Sequence, residues 1–144
     1  MATQKTASAT WEGSLAEGSG SVSLGSGTVS DLAVSWQDRA EGGEGTSPEE
    51  LIAGAHAGCV LMALAAGLAR AGTPPTRLES EATTTFDKVG EGFAITKMEL
   101  TIRGQVDGVD DEAVRQAAEE AKENCPVSQA LSGNVEITLD AALA

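Results

Sequence analysis

Thiol chemistry in this 144-residue chain can rest only on its two cysteines, Cys59 and Cys125. A thiolate attacks electrophilic oxygen or sulfur and binds soft metals, and two thiols within reach of each other can cycle between dithiol and disulfide. Cys59 ends the run Ala55-His56-Ala57-Gly58-Cys59 inside a long apolar stretch. By residue type it reads equally as a small packed hydrophobe, because burial far from a helix end raises a thiol pKa and makes it inert. To react, it needs a cation beside it. Arg39 lies in the polar, glycine-rich residues 38–46 just ahead of that stretch. That segment reads as a surface loop, and the planar, permanently charged guanidinium suits a thiolate or a peroxide oxygen. A solvated loop charge is the competing reading of Arg39. Cys125 precedes Pro126 at the start of a short helix, where free backbone N–H groups stabilise a thiolate. On electrostatics it is the more acidic thiol, or else a cap or gap-filling residue at a helix junction. The residues alone do not choose the nucleophile.

Three further side chains surround this question. Glu50 stands at the third position of a helix that starts after Ser47 and can reach back to its cap, which leaves Glu49 to pair with a cation such as Arg39. Glu49 lies ten positions before Cys59, about 15 Å along a straight helix. It can therefore serve that thiol only through Arg39 or from a partner's antiparallel helix, which makes a dimeric site reasonable. His56, the sole histidine, shares a helix face with Cys59, and H-x-x-C supplies two metal ligands. A zinc site needs two more, with Cys125 and a carboxylate left as candidates. A packed or hydrogen-bonded core histidine is favoured, and neither a metal nor another cofactor is expected.

These groups must be positioned by the elements around them. Ser47, Pro48 and Glu50 form an N-cap, a first-position proline and a third-position acid, so a helix starts there. It runs to residue 70, with Arg70 near its end and Gly72 and Pro74 as the stop. It is apolar on all sides, as a membrane span or a buried central helix is. Its many Ala and Gly residues and the lack of a flanking basic loop favour the buried centre. Gly54 and Gly58 leave a notch where another helix, from this chain or a partner, can approach closely. Residues 7–36 read as short antiparallel strands with glycine turns, and residues 77–89 and 93–106 as a hairpin around Gly90-Glu91-Gly92. An amphipathic helix over 110–124, a short helix from Cys125 to Leu131 and a last strand over 134–143 complete an α+β fold with largely antiparallel strands.

Composition limits the partners. With 9 basic and 22 acidic residues the formal charge is −13, which disfavours nucleic acid and anionic membrane surfaces. No apolar run follows Lys5 in the first ten residues, so a secretory signal is not expected and a cytoplasmic, reducing location is. Two cysteines are too few for a disulfide scaffold, so if they pair they do so within a cycle. No repeat or long linker divides the sequence, and residues 1–144 read as one domain.

The sequence resembles the OsmC/Ohr family, and within it the OsmC branch. The resemblance runs from Ala9-Thr10-Trp11-Glu12-Gly13 to the last strand and is densest in Gly45-Thr46-Ser47-Pro48-Glu49-Glu50-Leu51-Ile52, Ala55-His56-Ala57-Gly58-Cys59, Phe93-Ala94-Ile95-Thr96-Lys97 and Cys125-Pro126-Val127-Ser128. It implies an intertwined homodimer with sheets packed on a long buried central helix and two sites at the subunit interface. It also implies a thiol peroxidase for organic hydroperoxides. Cys59 takes the place of the peroxidatic cysteine, Cys125 that of the resolving cysteine, and Arg39 and Glu49 those of the family's arginine and glutamate. An external dithiol, lipoyl-type carriers included, would return the disulfide to thiols. Two departures bear on pocket size: Ala40 follows Arg39 and Val60 follows Cys59, where relatives commonly carry phenylalanine. The rival reading is a non-catalytic protein of the same fold, either a redox sensor or a binder of a small apolar ligand.

Overall fold

The computed structural model describes residues 1–144, which divide into two compact units, Met1–Leu51 and Ile52–Ala144. The first unit is built on an antiparallel sheet of β1 (Ala7–Glu12), β2 (Ser19–Leu24) and β3 (Leu32–Val34), in that order. Trp11 pairs with Gly20, and the indole covers the space that a side chain there would need, with its Cε3 2.7 Å from the position a Cβ would take.

The segment after β3 departs from the expected loop. Residues Trp36–Ala40 form a short helix, α1, which carries Arg39. Its cause is local. The Ser35 side chain accepts from the Asp38 N–H at 3.1 Å and its hydroxyl donates to the Asp38 carboxylate at 2.7 Å, so both ends of one helical turn are tied. The glycines that suggest flexibility wrap this carboxylate instead. The Gly45 N–H donates to Asp38 Oδ1 at 2.8 Å, and a Cβ at Gly43 would collide with the same oxygen. Thr46 then bridges to Val34, and Ser47 accepts from the Glu50 N–H at 3.2 Å to start α2, Pro48–Arg70.

From Ile52 onward α2 belongs to the second unit. Ala53, His56, Val60, Leu64 and Leu68 recur at three- and four-residue spacing and are buried. The apolar members of this stripe join Met98, Leu100, Ile102 and Val106, together with Val114, Ala118 and Ala121, in one hydrophobic cluster. The opposite face of the helix is open within the chain. Leu51, Gly54, Ala55, Gly58, Met62 and Ala66 flank or line it, Met62 with 76% exposure, and at the notch of Gly54 and Gly58 a Cβ on either glycine would meet nothing within 4 Å. Length and apolarity alone would let α2 cross a membrane, while one of its faces packs into this cluster.

The second sheet orders β4 (Arg77–Val89), β5 (Gly92–Gln105) and β6 (Glu136–Leu143). β4 and β5 form the expected antiparallel hairpin, closed by Gly90-Glu91 with Gly90 at φ +62° and interrupted by a register shift at Thr85/Phe86. β6 pairs with β5 in parallel, a direction that strand patterning does not reveal. A parallel return needs a crossover, and α3 (Asp111–Asn124) and α4 (Pro126–Leu131) supply it. Asp110 caps α3 through the Ala113 N–H at 2.9 Å. The chain turns at Cys125, which is at once the C-cap of α3 and the N-cap of α4.

Candidate active site

Each unit carries one pair of candidate side chains. In the first, Arg39 on α1 and Glu49 in the first turn of α2 form an ion pair, with Nη2 donating to Oε1 at 2.7 Å and Nε to the same oxygen at 3.0 Å. Two donors of one guanidinium thus converge on the carboxylate and fix its orientation. The Glu49 side chain is 6% exposed and that of Arg39 35%, so the carboxylate is enclosed and the guanidinium is partly exposed. Glu50 does not reach back to the cap as expected. Its carboxylate accepts from the Thr46 hydroxyl at 2.7 Å, while its backbone N–H meets Ser47. Glu49 is nevertheless the glutamate that pairs with Arg39.

In the second unit Cys59 of α2 and Cys125 at the start of α4 are both free thiols, and their side chains lie within hydrogen-bonding reach of each other. They differ in access. Cys125 is fully buried within the core cluster, whereas Cys59 is half-buried at its margin. They differ also in acidity, in the opposite sense. Burial pushes the Cys59 thiol up, and the neighbouring Cys125 pushes it further. Burial would push Cys125 up as well. The hydrogen bond from Cys59, the N–H and hydroxyl of Ser128 and the N–H of Val127 together outweigh it and leave Cys125 below the ordinary cysteine value. Those N–H groups stabilise negative charge on the sulfur without making a regular side-chain cap. The more acidic thiol is the enclosed one.

His56 is fully buried one turn before Cys59, and its Nε2 lies 2.6 Å from the hydroxyl of Ser128, one turn after Cys125. His56 is thus a buried, hydrogen-bonded core histidine, as favoured from its position. Ser128, buried and bonded to His56, is not singled out by its residue type. Its spacing of three from Cys125 is the signal that could mark it, since side chains three apart on a helix are neighbours. The Ser80 hydroxyl of β4 donates to the Ala57 carbonyl at 2.9 Å and ties α2 to the sheet beside the thiol. Val60 is packed in the core and Ala40 is exposed at the end of α1.

The family described as OsmC-like protein matches residues 41–140. The chain is 43% identical over 140 residues to Peroxiredoxin OsmC of Escherichia coli (strain K12), covering 97% of this chain and 96% of that protein. It is 30% identical over 102 residues to the organic hydroperoxide resistance protein of Xanthomonas axonopodis pv. citri, 70% of each chain. Among solved structures it resembles an organic hydroperoxide resistance protein from Elizabethkingia anophelis, with a TM-score of 0.74, 25% identity and full coverage of both chains.

Burial of His56 has a consequence for stability. Loss of hydration lowers its pKa from 6.5, so as pH falls through about 6.5 the unfolded chain takes up a proton that the folded chain refuses. Stability is then lost on acidification until the folded-state pKa is reached. Denaturant unfolding between about pH 7.5 and about pH 5 should show a shallower acid loss for His56→Gln than for the parent. Equal slopes would mean that the buried imidazole is protonated as easily as a free one.

Proposed function

Since the chain belongs to the OsmC-like family and is a peroxidase, we propose that it reduces organic hydroperoxides to alcohols through a cycle in which Cys59 is oxidised and Cys125 resolves it. The observation that carries this reading is the contact between a reachable thiol and a fully enclosed one. A peroxide can meet Cys59, whereas Cys125 is shielded from it. The lower pKa of Cys125 does not oppose this assignment. Two thiols in contact share one proton once the first has ionised, and transfer of the Cys59 proton to the Cys125 thiolate generates the nucleophile where the substrate can reach it.

The chemistry then balances. The Cys59 thiolate attacks the terminal peroxide oxygen, an S–O bond forms, the O–O bond breaks, and the alkoxide takes up a proton and leaves as the alcohol. Cys125 attacks the resulting sulfenic acid, forming the disulfide and releasing water. An external dithiol, of lipoyl type among others, restores both thiols by exchange and is itself oxidised to a disulfide.

Arg39 is assigned to lower the energy of the Cys59 thiolate and of the leaving alkoxide, and Glu49 to orient the guanidinium. Support comes from the ion pair itself, in which an enclosed carboxylate holds a partly exposed guanidinium by two donors. We read residues 1–144 as one domain that works as an intertwined homodimer in the cytoplasm. The open apolar face of α2, with its notch at Gly54 and Gly58, supports a second copy of the chain as the covering partner.

Three measurements test these assignments. One equivalent of an organic hydroperoxide added to the reduced protein should remove two hydrogens per chain and join the Cys59 and Cys125 peptides, and repeated additions with a dithiol should be consumed many times over. Stoichiometric oxidation without turnover would favour the redox-sensor reading, and accumulation of added oxygen alone would end the two-cysteine cycle. Arg39→Ala should slow Cys59 oxidation by about a hundredfold with little change in the denaturation midpoint; unchanged kinetics would exclude Arg39 from the reaction. Sedimentation should give twice the chain mass of 14.6 kDa, whereas a species of single-chain mass would leave the α2 face without its proposed cover.

A further inference from the structure

His56 and Ser128 take no part in the cycle described above, yet they are among the most enclosed polar side chains of the second unit, with residue exposures of 0% and 4%. Their 2.6 Å bond joins the turn of α2 that carries Cys59 to the turn of α4 that follows Cys125. His56 Nδ1 is buried without a partner. A leucine in this place would avoid that cost, so the imidazole is not explained by packing alone.

The unpartnered nitrogen also indicates how the hydrogens are arranged. A buried N–H without an acceptor is rarer and costlier than a buried acceptor without a donor. Nδ1 is therefore the bare nitrogen, and Nε2 carries the hydrogen and donates to Ser128 Oγ. A hydroxyl has one hydrogen. With its oxygen accepting from His56, Ser128 keeps that hydrogen for another acceptor. Ser128 stands at the third position of α4, from which a side chain reaches back to the N-cap, and the N-cap is Cys125. With the other tautomer Ser128 would commit its hydrogen to Nε2, and the sulfur would keep only backbone donors.

Building on the two-cysteine reading, we infer that the buried His56–Ser128 pair is a positioning device for the resolving step: His56 fixes the Ser128 hydroxyl so that it donates to Cys125 and holds that sulfur, as a thiolate, against Cys59. In that step the Cys125 sulfur attacks the Cys59 sulfenic sulfur. An S–S bond forms and the S–O bond breaks. The departing hydroxide takes a proton equivalent to the one Cys125 gave up, so that thiol and sulfenic acid become disulfide and water. On α3, Lys122 is paired with Glu119 and Glu123 is exposed, and Glu136 of β6 is exposed.

Two readouts separate this role from simple packing. In a Cys59→Ser background, ultraviolet thiolate absorbance follows the ionisation of Cys125 without requiring access or turnover. Ser128→Ala and His56→Leu should raise its midpoint, whereas Ser128→Thr and His56→Gln, which keep the hydroxyl and an N–H donor, should stay near the parent. In the two-cysteine protein, a single pulse of cumene hydroperoxide should oxidise Cys59 at the parent rate in Ser128→Ala and His56→Gln. Closure of the disulfide should slow about tenfold in Ser128→Ala, with Cys59 sulfenic acid captured by dimedone, and remain fast in His56→Gln. An unmoved midpoint in Ser128→Ala, or equal slowing of both steps, would overturn the inference. If the unsubstituted protein forms no Cys59–Cys125 disulfide, the cycle itself is overturned and the resolving role with it, while the thiolate titration still reports on the hydrogen bonds.

Discussion

Two thiols in contact at the edge of a hydrophobic core cannot both ionise without placing like charges side by side in a poorly solvated space. This constraint governs the second unit. The pair holds one negative charge at most near neutral pH, and the donors around it decide where that charge rests. Ser128 offers its N–H and hydroxyl to Cys125 and the Val127 N–H serves both sulfurs, whereas Cys59 is midway along a long helix whose own N–H groups are committed to the backbone ladder. These donors therefore favour negative charge on Cys125 over Cys59. Access has the opposite bias, because the core encloses Cys125 and leaves Cys59 at its margin. The more acidic thiol and the more reachable one are thus different residues.

The polar groups buried nearby obey the same logic. Burying a carboxylate or an imidazole costs free energy unless it gains partners, typically of the order of several kcal/mol for an unpaired charge. Glu49 is enclosed and held by two guanidinium donors, so its charge is matched. His56 is enclosed and neutral, with one hydrogen bond and one unmatched nitrogen. A protein of this size is stable by only about 5–15 kcal/mol, so an incompletely satisfied imidazole in the core is a substantial cost. Its retention next to the cysteine turn is best understood through what the bond to Ser128 does.

Much of this arrangement is legible in the sequence, because the signals are short-range. Ser47-Pro48 marks the start of α2, Gly90-Glu91 the turn of the hairpin, and Cys125-Pro126 the joint between two helices; each depends on backbone chemistry within a few residues. The pairing of Glu49 with Arg39 is also readable from the competing duty of Glu50, even though Glu50 bonds Thr46 rather than the cap. What the pattern conceals depends on contacts distant in sequence or on unusual local order. The glycines after Asp38 look like a flexible loop, yet they are small so that two backbone segments can close around one carboxylate. The parallel direction of β6 follows from a crossover through two helices, and no residue in the strand encodes it. The bond between His56 and Ser128 joins positions 72 residues apart, beyond any periodicity.

The degree to which Cys59 is exposed follows from helix phase. At 3.6 residues per turn each step rotates a side chain by about 100°. The buried stripe of α2 passes through Ala53, His56, Val60, Leu64 and Leu68, and the open stripe through Leu51, Gly54, Ala55, Gly58, Met62 and Ala66. Cys59 lies on one border between them, with half-buried Ile52 and Ala63 in neighbouring turns of the same row. Moved one position forward, to Val60, the thiol would be sealed in the core; moved one back, to Gly58, it would face the open side and lose its neighbour. The border position is the one from which a sulfur can touch both an incoming molecule and an enclosed partner. Small residues such as Ala55 and Gly58 on the open side of that border leave the stripe that anchors the helix undisturbed.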